Sequence, residues 1–165
     1  MLSHLLIMRH AKSSWTDEDQ TDHARPLNLR GRESADVIAQ TLTAKGYPPD
    51  IIWSSDAQRT KETATRMIRV IPGPQQIFYQ PEFYMASAEQ TLQLCSSADE
   101  PDGKLLLLGH NPGWSNLFHF FSGTYHRYPT ATCAVFARKD ETANWLTPDA
   151  WQLKDILVAR DIMEP

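Results

Sequence analysis

Short apolar runs recur along this chain, each followed by a stretch with helical spacing, and that alternation most restricts its fold. His4–Met8, Ile51–Ser54, Gln76–Tyr79 and Leu105–Leu108 read as strands. Between them, Gly31–Lys45 carries Ala35, Ile38, Ala39 and Leu42 at i, i+3, i+4 and i+7, an amphipathic helix closed by Gly46-Tyr47-Pro48-Pro49. Ala57–Ile71 repeats the pattern with Ala64, Met67, Ile68 and Ile71 before Pro72-Gly73-Pro74. A third helix is predicted after Ser87, which has capping-box spacing with Gln90. Pro112 suits the first turn of a fourth, whose Trp114, Leu117, Phe118 and Phe121 share one core-facing stripe before Gly123. Thr132–Ala137 and Trp151–Val158 read as later strands. Four leucines in succession at 105–108 leave no polar face, as in a strand covered on both sides. The expectation is an α/β three-layer sandwich, with a mostly parallel central sheet and helices on both faces.

A chain of 165 residues with no linker or repeat is expected to form a single domain over 1–165. Its net charge of −4 disfavours nucleic-acid binding, which rests on basic patches. No apolar run approaches the roughly 20 residues of a membrane span, and no cleavable leader is visible. Cys95 and Cys133 match no disulfide or metal spacing and read as small buried hydrophobes. A cytoplasmic protein, possible as a monomer, is the expectation.

In a doubly wound sheet, ligands bind beyond the carboxyl ends of the strands. Three strand ends carry residues that handle phosphate: Arg9-His10-Ala11-Lys12-Ser13, then Ser54-Ser55-Asp56 with Arg59 one turn on, then Gly109-His110-Asn111-Pro112-Gly113. Arg25-Pro26-Leu27 lies between the first strand and the first helix. Brought together, these residues form an anion pocket with two histidines. Neutral imidazole attacks phosphorus, and the arginines beside His10 should hold its pKa down. Arg9, Arg25 and Arg59 can bind phosphate oxygens and stabilise a transferring phosphoryl group. His110 can donate to one oxygen, and Asn111 is near enough to touch substrate. In-line attack by His10, then by water on the resulting phosphohistidine, needs no metal.

The order Arg9-His10, Arg25-Pro26-Leu27 with Gly31, Ser54-Ser55-x3-Arg59-x3-Thr63-Ala64 and Gly109-His110 resembles the histidine phosphatase superfamily. The branch is the one that includes the cofactor-dependent phosphoglycerate mutases. Length and the Arg-Pro-Leu element are most similar to its small SixA-type phosphohistidine phosphatases. The resemblance runs from Leu5 to about Phe121. It implies His10 as phospho-acceptor, Arg9, Arg25, Arg59 and His110 as phosphate ligands, and phosphohistidine on a protein as substrate.

Three features depart from the family's pattern. Ala11 replaces the glycine that usually follows the nucleophile, putting a methyl group beside the phosphate. Asp56 replaces a proline and reads as a cap for the following helix. Larger relatives carry a glutamate after the third strand as general acid. Here Glu82 lies in that region without the rest of the motif, so it is only a possible acid. A weak acid suits phosphohistidine, whose ring leaves as a neutral group once its far nitrogen is protonated. Only about two dozen residues separate the third strand from the fourth, so a shallow site with little lid is expected. The acidic stretch 17–22 is read as a solvated loop near the rim. His4, His23, His119 and His126 show no metal-ligand spacing, and neither metal nor cofactor is expected. The alternatives are a phosphatase of small phosphomonoesters on the same fold, or a phosphate- or phosphoprotein-binding module without turnover.

Overall fold

The computed structural model describes residues 1–164. Its chain order is β1 (Leu2–Arg9), α1 (Leu29–Ala44), β2 (Ile51–Ser54), α2 (Gln58–Val70), β3 (Gln76–Tyr79), α3 (Ala88–Ser96), β4 (Gly103–Gly109), α4 (Gly113–Ser122), β5 (Thr132–Arg138), β6 (Trp151–Val158) and α5 (Ala159–Met163). The six strands form one sheet in the order β3-β2-β4-β1-β5-β6. β3, β2, β4 and β1 run parallel, whereas β5 and β6 pair antiparallel. The sheet is therefore mixed, with its parallel part centred on β4.

Alternation along the strands explains the two cores. Leu6, Met8, Leu106 and Leu108 point to one face, against Ala35, Ile38 and Leu42 of α1 and Ala64 and Met67 of α2. Leu5, Ile7, Leu105 and Leu107 point to the other, against Trp114, Leu117, Phe118 and Phe121 of α4 and Cys95 of α3. Both faces are covered, so β1 and β4 carry apolar residues without a break. Each of these leucines is fully buried and contributes roughly 2 kcal/mol of burial free energy.

Ends of elements follow local chemistry. Asn28 caps α1 by accepting from Gly31 N at 2.8 Å, starting that helix two residues before Gly31. The capping box of Ser87 and Gln90 is formed at α3. Pro112 occupies the cap position of α4, just outside the first turn. Asp56 does not cap α2; Ser55 Oγ accepts from Ala57 N instead, and Asp56 turns away to His23, 2.8 Å distant. α5 follows β6 with no intervening turn and carries no sequence pattern that announces it.

Two glycines fix how the strand ends are packed. A Cβ on Gly31 would lie 2.0 Å from the carbonyl oxygen of Lys12, so only glycine lets α1 start against the loop after β1. A Cβ on Gly109 would meet the Trp114 ring at 2.5 Å.

Candidate active site

The carboxyl ends of β2, β4 and β1 lie side by side, with Ser54 level with Leu108 and Arg9 level with Gly109. His10 and Ser55 continue the ladder, donating from their amides to Gly109 and Leu108. The loop after β1 folds back on itself: Ser14 N bonds Pro26 O at 2.8 Å and Asn28 N bonds Lys12 O at 3.1 Å. That return carries Arg25 to the strand ends. Arg59, from the first turn of α2, reaches the same point. The resulting cavity, about 440 Å³, is lined by Arg9, His10, Arg25, Arg59, His110 and Asn111, among others.

His10, Arg59 and His110 are nearly closed off from solvent, 5 %, 3 % and 2 % exposed. His10 Nδ1 lies 2.7 Å from the carbonyl of Ala11. A carbonyl only accepts, so Nδ1 carries the proton and Nε2 keeps its lone pair. Arg59 Nε donates to that Nε2 at 3.3 Å. Burial holds the His10 pKa well below the usual imidazole range, and His110, Arg59 and Arg9 push the same way. The arginines were expected to supply this effect, but exclusion from water is the larger cause.

Arg59 also donates from Nη2 to His110 Nδ1 at 3.3 Å. Burial, then Arg59, lowers the His110 pKa to about 3. The ring is therefore neutral, and its one proton lies on Nε2, 2.8 Å from Ser55 Oγ. For His110 to donate from Nδ1 to a phosphate, that proton must change nitrogen. The Ser55 hydroxyl accommodates either state, because it can accept from Nε2 or donate to it.

Arg9 donates from Nη1 to Tyr128 O at 3.2 Å, and Asn111 Nδ2 bonds the same carbonyl at 2.8 Å. Arg9 Nε and Asn111 Oδ1 are buried without a partner among the described residues. A buried unpaired donor is costly, and an anion in the cavity is what an arginine there can bind. Arg25 Nη1 donates to Ser13 Oγ at 2.7 Å, and its guanidinium lies 3.5 Å from the centre of the Trp15 ring.

Asp22 is the residue that sequence patterning overlooked. It does not merely sit in a solvated acidic loop: Arg25 Nε donates to Oδ1 at 3.2 Å, Arg59 Nη2 donates to Oδ2 at 3.1 Å, and the Tyr84 hydroxyl donates to Oδ2. Led by the Tyr84 hydrogen bond, these contacts bring its carboxyl down to about 2. Tyr84 packs edge-on against His23, which is bonded to Asp56. The charge at Asp56 thus props the wall that holds Asp22. Spacing to Arg25 was the only available signal.

Glu82 lies exposed in a 3-10 turn, Pro81–Phe83, and lines neighbouring cavities rather than the one containing His10. The segment between β3 and β4 nonetheless reaches the mouth through Tyr84 and Met85, so the site has more wall than length alone suggested. The Ala11 methyl packs into the core and does not line the His10 cavity, while its amide donates to Thr63 Oγ1 at 3.1 Å. Among the described residues, no group of three or more His, Cys, Asp and Glu could hold a metal ion, and no helix is long and apolar enough to cross a membrane.

The family model of the histidine phosphatase superfamily (branch 1) matches residues 5–82, which include His10, Arg25 and Arg59. A protein of Arabidopsis thaliana, described as uncharacterized and chloroplastic, is 35% identical over 170 residues, covering 95% of this chain and 78% of its own. SixA from Agrobacterium tumefaciens, a protein named as a phosphohistidine phosphatase, superposes with a TM-score of 0.81 at 28% identity, over 96% of this chain and 99% of that one. The chain belongs to the histidine phosphatase superfamily. A protein histidine phosphatase SixA complexed with tungstate shares the fold of this superfamily member, with a TM-score of 0.79 at 16% identity over 96% of this chain and 99% of that chain. The protein is a SixA-like phosphatase with a phosphoglycerate mutase-like fold. A histidine phosphatase acts on a phosphate-bearing substrate, and the arginine-lined cavity is where this chain can receive one.

Proposed function

We propose that this phosphatase removes phosphate from phosphohistidine on proteins, through a phosphorylated His10. One observation carries the substrate assignment. Among the described residues Asp22 is the only carboxylate lining the His10 cavity, and its partners hold it ionised, with a pKa of about 2. An alkoxide leaving group needs a proton from a nearby acid, and a carboxyl ionised at neutral pH cannot give one. Glu82, exposed outside that cavity, is not placed to do so. An imidazole already protonated on its far nitrogen departs without help.

In this reading His10 Nε2 attacks phosphorus. Its Nδ1–H stays on the Ala11 carbonyl, so the ring is held in one tautomer and one orientation. Arg59 gives up its bond to Nε2 and turns to the phosphoryl oxygens, joined by Arg9 and Arg25. His110 donates from Nδ1, with Ser55 supplying the compensating hydrogen bond to Nε2. Asn111 lies at the cavity edge as a substrate contact. Water then hydrolyses phospho-His10. The arginines supply the positive charge, so neither metal nor cofactor enters the scheme. The SixA proteins that match the fold lend support by their names.

The test compares kcat/KM for a phosphohistidine-bearing protein with that for small phosphomonoesters, at neutral pH with EDTA present. A preference of about a hundredfold, roughly 2.7 kcal/mol of differential transition-state stabilisation, is expected. The opposite preference overturns the substrate assignment and turns attention to small phosphomonoesters.

A further inference from the structure

Phosphate-binding arginines form the floor of the cavity, but its mouth is of opposite character. Trp15 lines that mouth and is 75 % exposed, an unusual position for so large an apolar ring. It is not loose: one face stacks on the Arg25 guanidinium, which Ser13 Oγ, Ser14 O and Asp22 hold in place. Asp22 lies on the same lining, half-exposed, and is fixed by Arg25, Arg59 and Tyr84. Oδ1 accepts a single bond, so it retains capacity for another donor.

An aromatic face and a carboxylate that line one cavity, each in contact with Arg25, suit a flat cation. With the arginines beneath, the cavity matches a ligand whose phosphoryl dianion is joined directly to a cationic ring. An alkyl or aryl phosphate carries no such cation. We infer that Trp15 and Asp22 form a leaving-group subsite for a protonated, planar nitrogen heterocycle, the imidazolium of a phosphohistidine. The inference rests on the substrate reading above and assigns the residues that would read that ring.

The chemistry balances without an acid. The His10 Nε2 lone pair forms the new N–P bond, and the substrate's N–P bond breaks with its electron pair going to the departing ring nitrogen. The ring keeps the proton on its far nitrogen and leaves as neutral imidazole. Asp22 accepts the hydrogen bond from that far N–H and favours the protonated form of the substrate. Trp15 stacks on the ring plane.

Three small substrates separate these roles: phosphoimidazole, phosphoramidate, which lacks a ring, and p-nitrophenyl phosphate, whose leaving group needs no proton. In Asp22→Asn, the ratio of kcat/KM for phosphoimidazole to that for p-nitrophenyl phosphate should fall by about tenfold or more. In Trp15→Ala, a surface change that spares the fold, the ratio of phosphoimidazole to phosphoramidate should fall by about fivefold or more. Ratios that stay within about twofold of wild type in both variants, with phosphoimidazole still turned over well, overturn the subsite and leave the phosphohistidine reading standing. A wild-type enzyme that hydrolyses p-nitrophenyl phosphate but not phosphoimidazole overturns both.

Discussion

Thr63 offers a sharp test of how His10, the proposed nucleophile, is held. The side chain is fully buried on α2, and its hydroxyl has two bonds: it accepts from Ala11 N at 3.1 Å and donates to Arg59 O at 2.7 Å. Thr63→Val replaces the hydroxyl by a methyl group of nearly the same size, so no cavity opens. Losing the bond to Arg59 costs little, since the helix's own ladder still engages that carbonyl. Losing the acceptor for Ala11 N is different, because it strands a buried amide, at about 1–3 kcal/mol. For a chain of this length that lowers Tm by roughly 2–12 °C. The amide belongs to the peptide joining His10 to Ala11, and the Ala11 carbonyl holds His10 Nδ1 at 2.7 Å. Small displacements of a reacting group are costly, so kcat should fall about tenfold or more, beyond what the stability loss explains. Thr63→Ser keeps the acceptor and should recover most of both losses. Urea unfolding and steady-state kinetics on the three proteins decide the matter. A valine variant within about 0.5 kcal/mol of wild type would refute the reasoning, since surface changes alone give that much.

His10→Ala should abolish turnover while leaving the far-UV circular dichroism unchanged; activity above about one hundredth of wild type removes His10 as nucleophile. Arg59→Ala frees both imidazoles from their shared donor and should raise the inhibition constants of phosphate and vanadate by about tenfold or more. Unchanged constants would place the anion elsewhere. Stability should fall as pH drops below about 6.5, because unfolded histidines take up protons that buried His10 and His110 refuse. With a folded pKa of about 3, His110 alone should cost about 2 kcal/mol between pH 7.5 and 5. Asp22, depressed to about 2, weakens the fold only as pH falls through the acid range below its ordinary value of 3.8. Urea midpoints at pH 7.5 and 5.0 test this, and a His110→Gln variant with the same pH slope as wild type would contradict it.

Much of the fold is legible because the sheet is covered on both sides. Continuous runs such as Leu105–Leu108 follow directly from burial on two faces, and α1, α2 and α4 have a three- to four-residue apolar rhythm. Strand ends were legible for the same reason: polarity returns abruptly at Arg9-His10 and at Gly109-His110, so these stand out. Asp22 does not. Its neighbours Asp17, Glu18 and Asp19 are equally acidic, and only the return of the loop against Arg59 and Tyr84 selects one carboxylate among them. Asp56 was misplaced because side chains at a helix start usually cap it, whereas here a long-range partner, His23, competes successfully. Tyr84 and Trp15 carry no periodic signal at all, since their roles depend on residues at other strand ends.

Strand order has a consequence for how the chain is made. β4 is the sole link between the β2–β3 pair and the β1–β5–β6 group, and it enters only after residue 102 has been synthesised. Until then β1 and β2 have no sheet partner between them, so each exposes an unpaired edge of apolar residues although α1 and α2 have already been synthesised. Nascent chains stalled before Gly103 should therefore engage chaperones or aggregate, and the site, which draws on both sides of β4, closes only when that central strand is threaded into place.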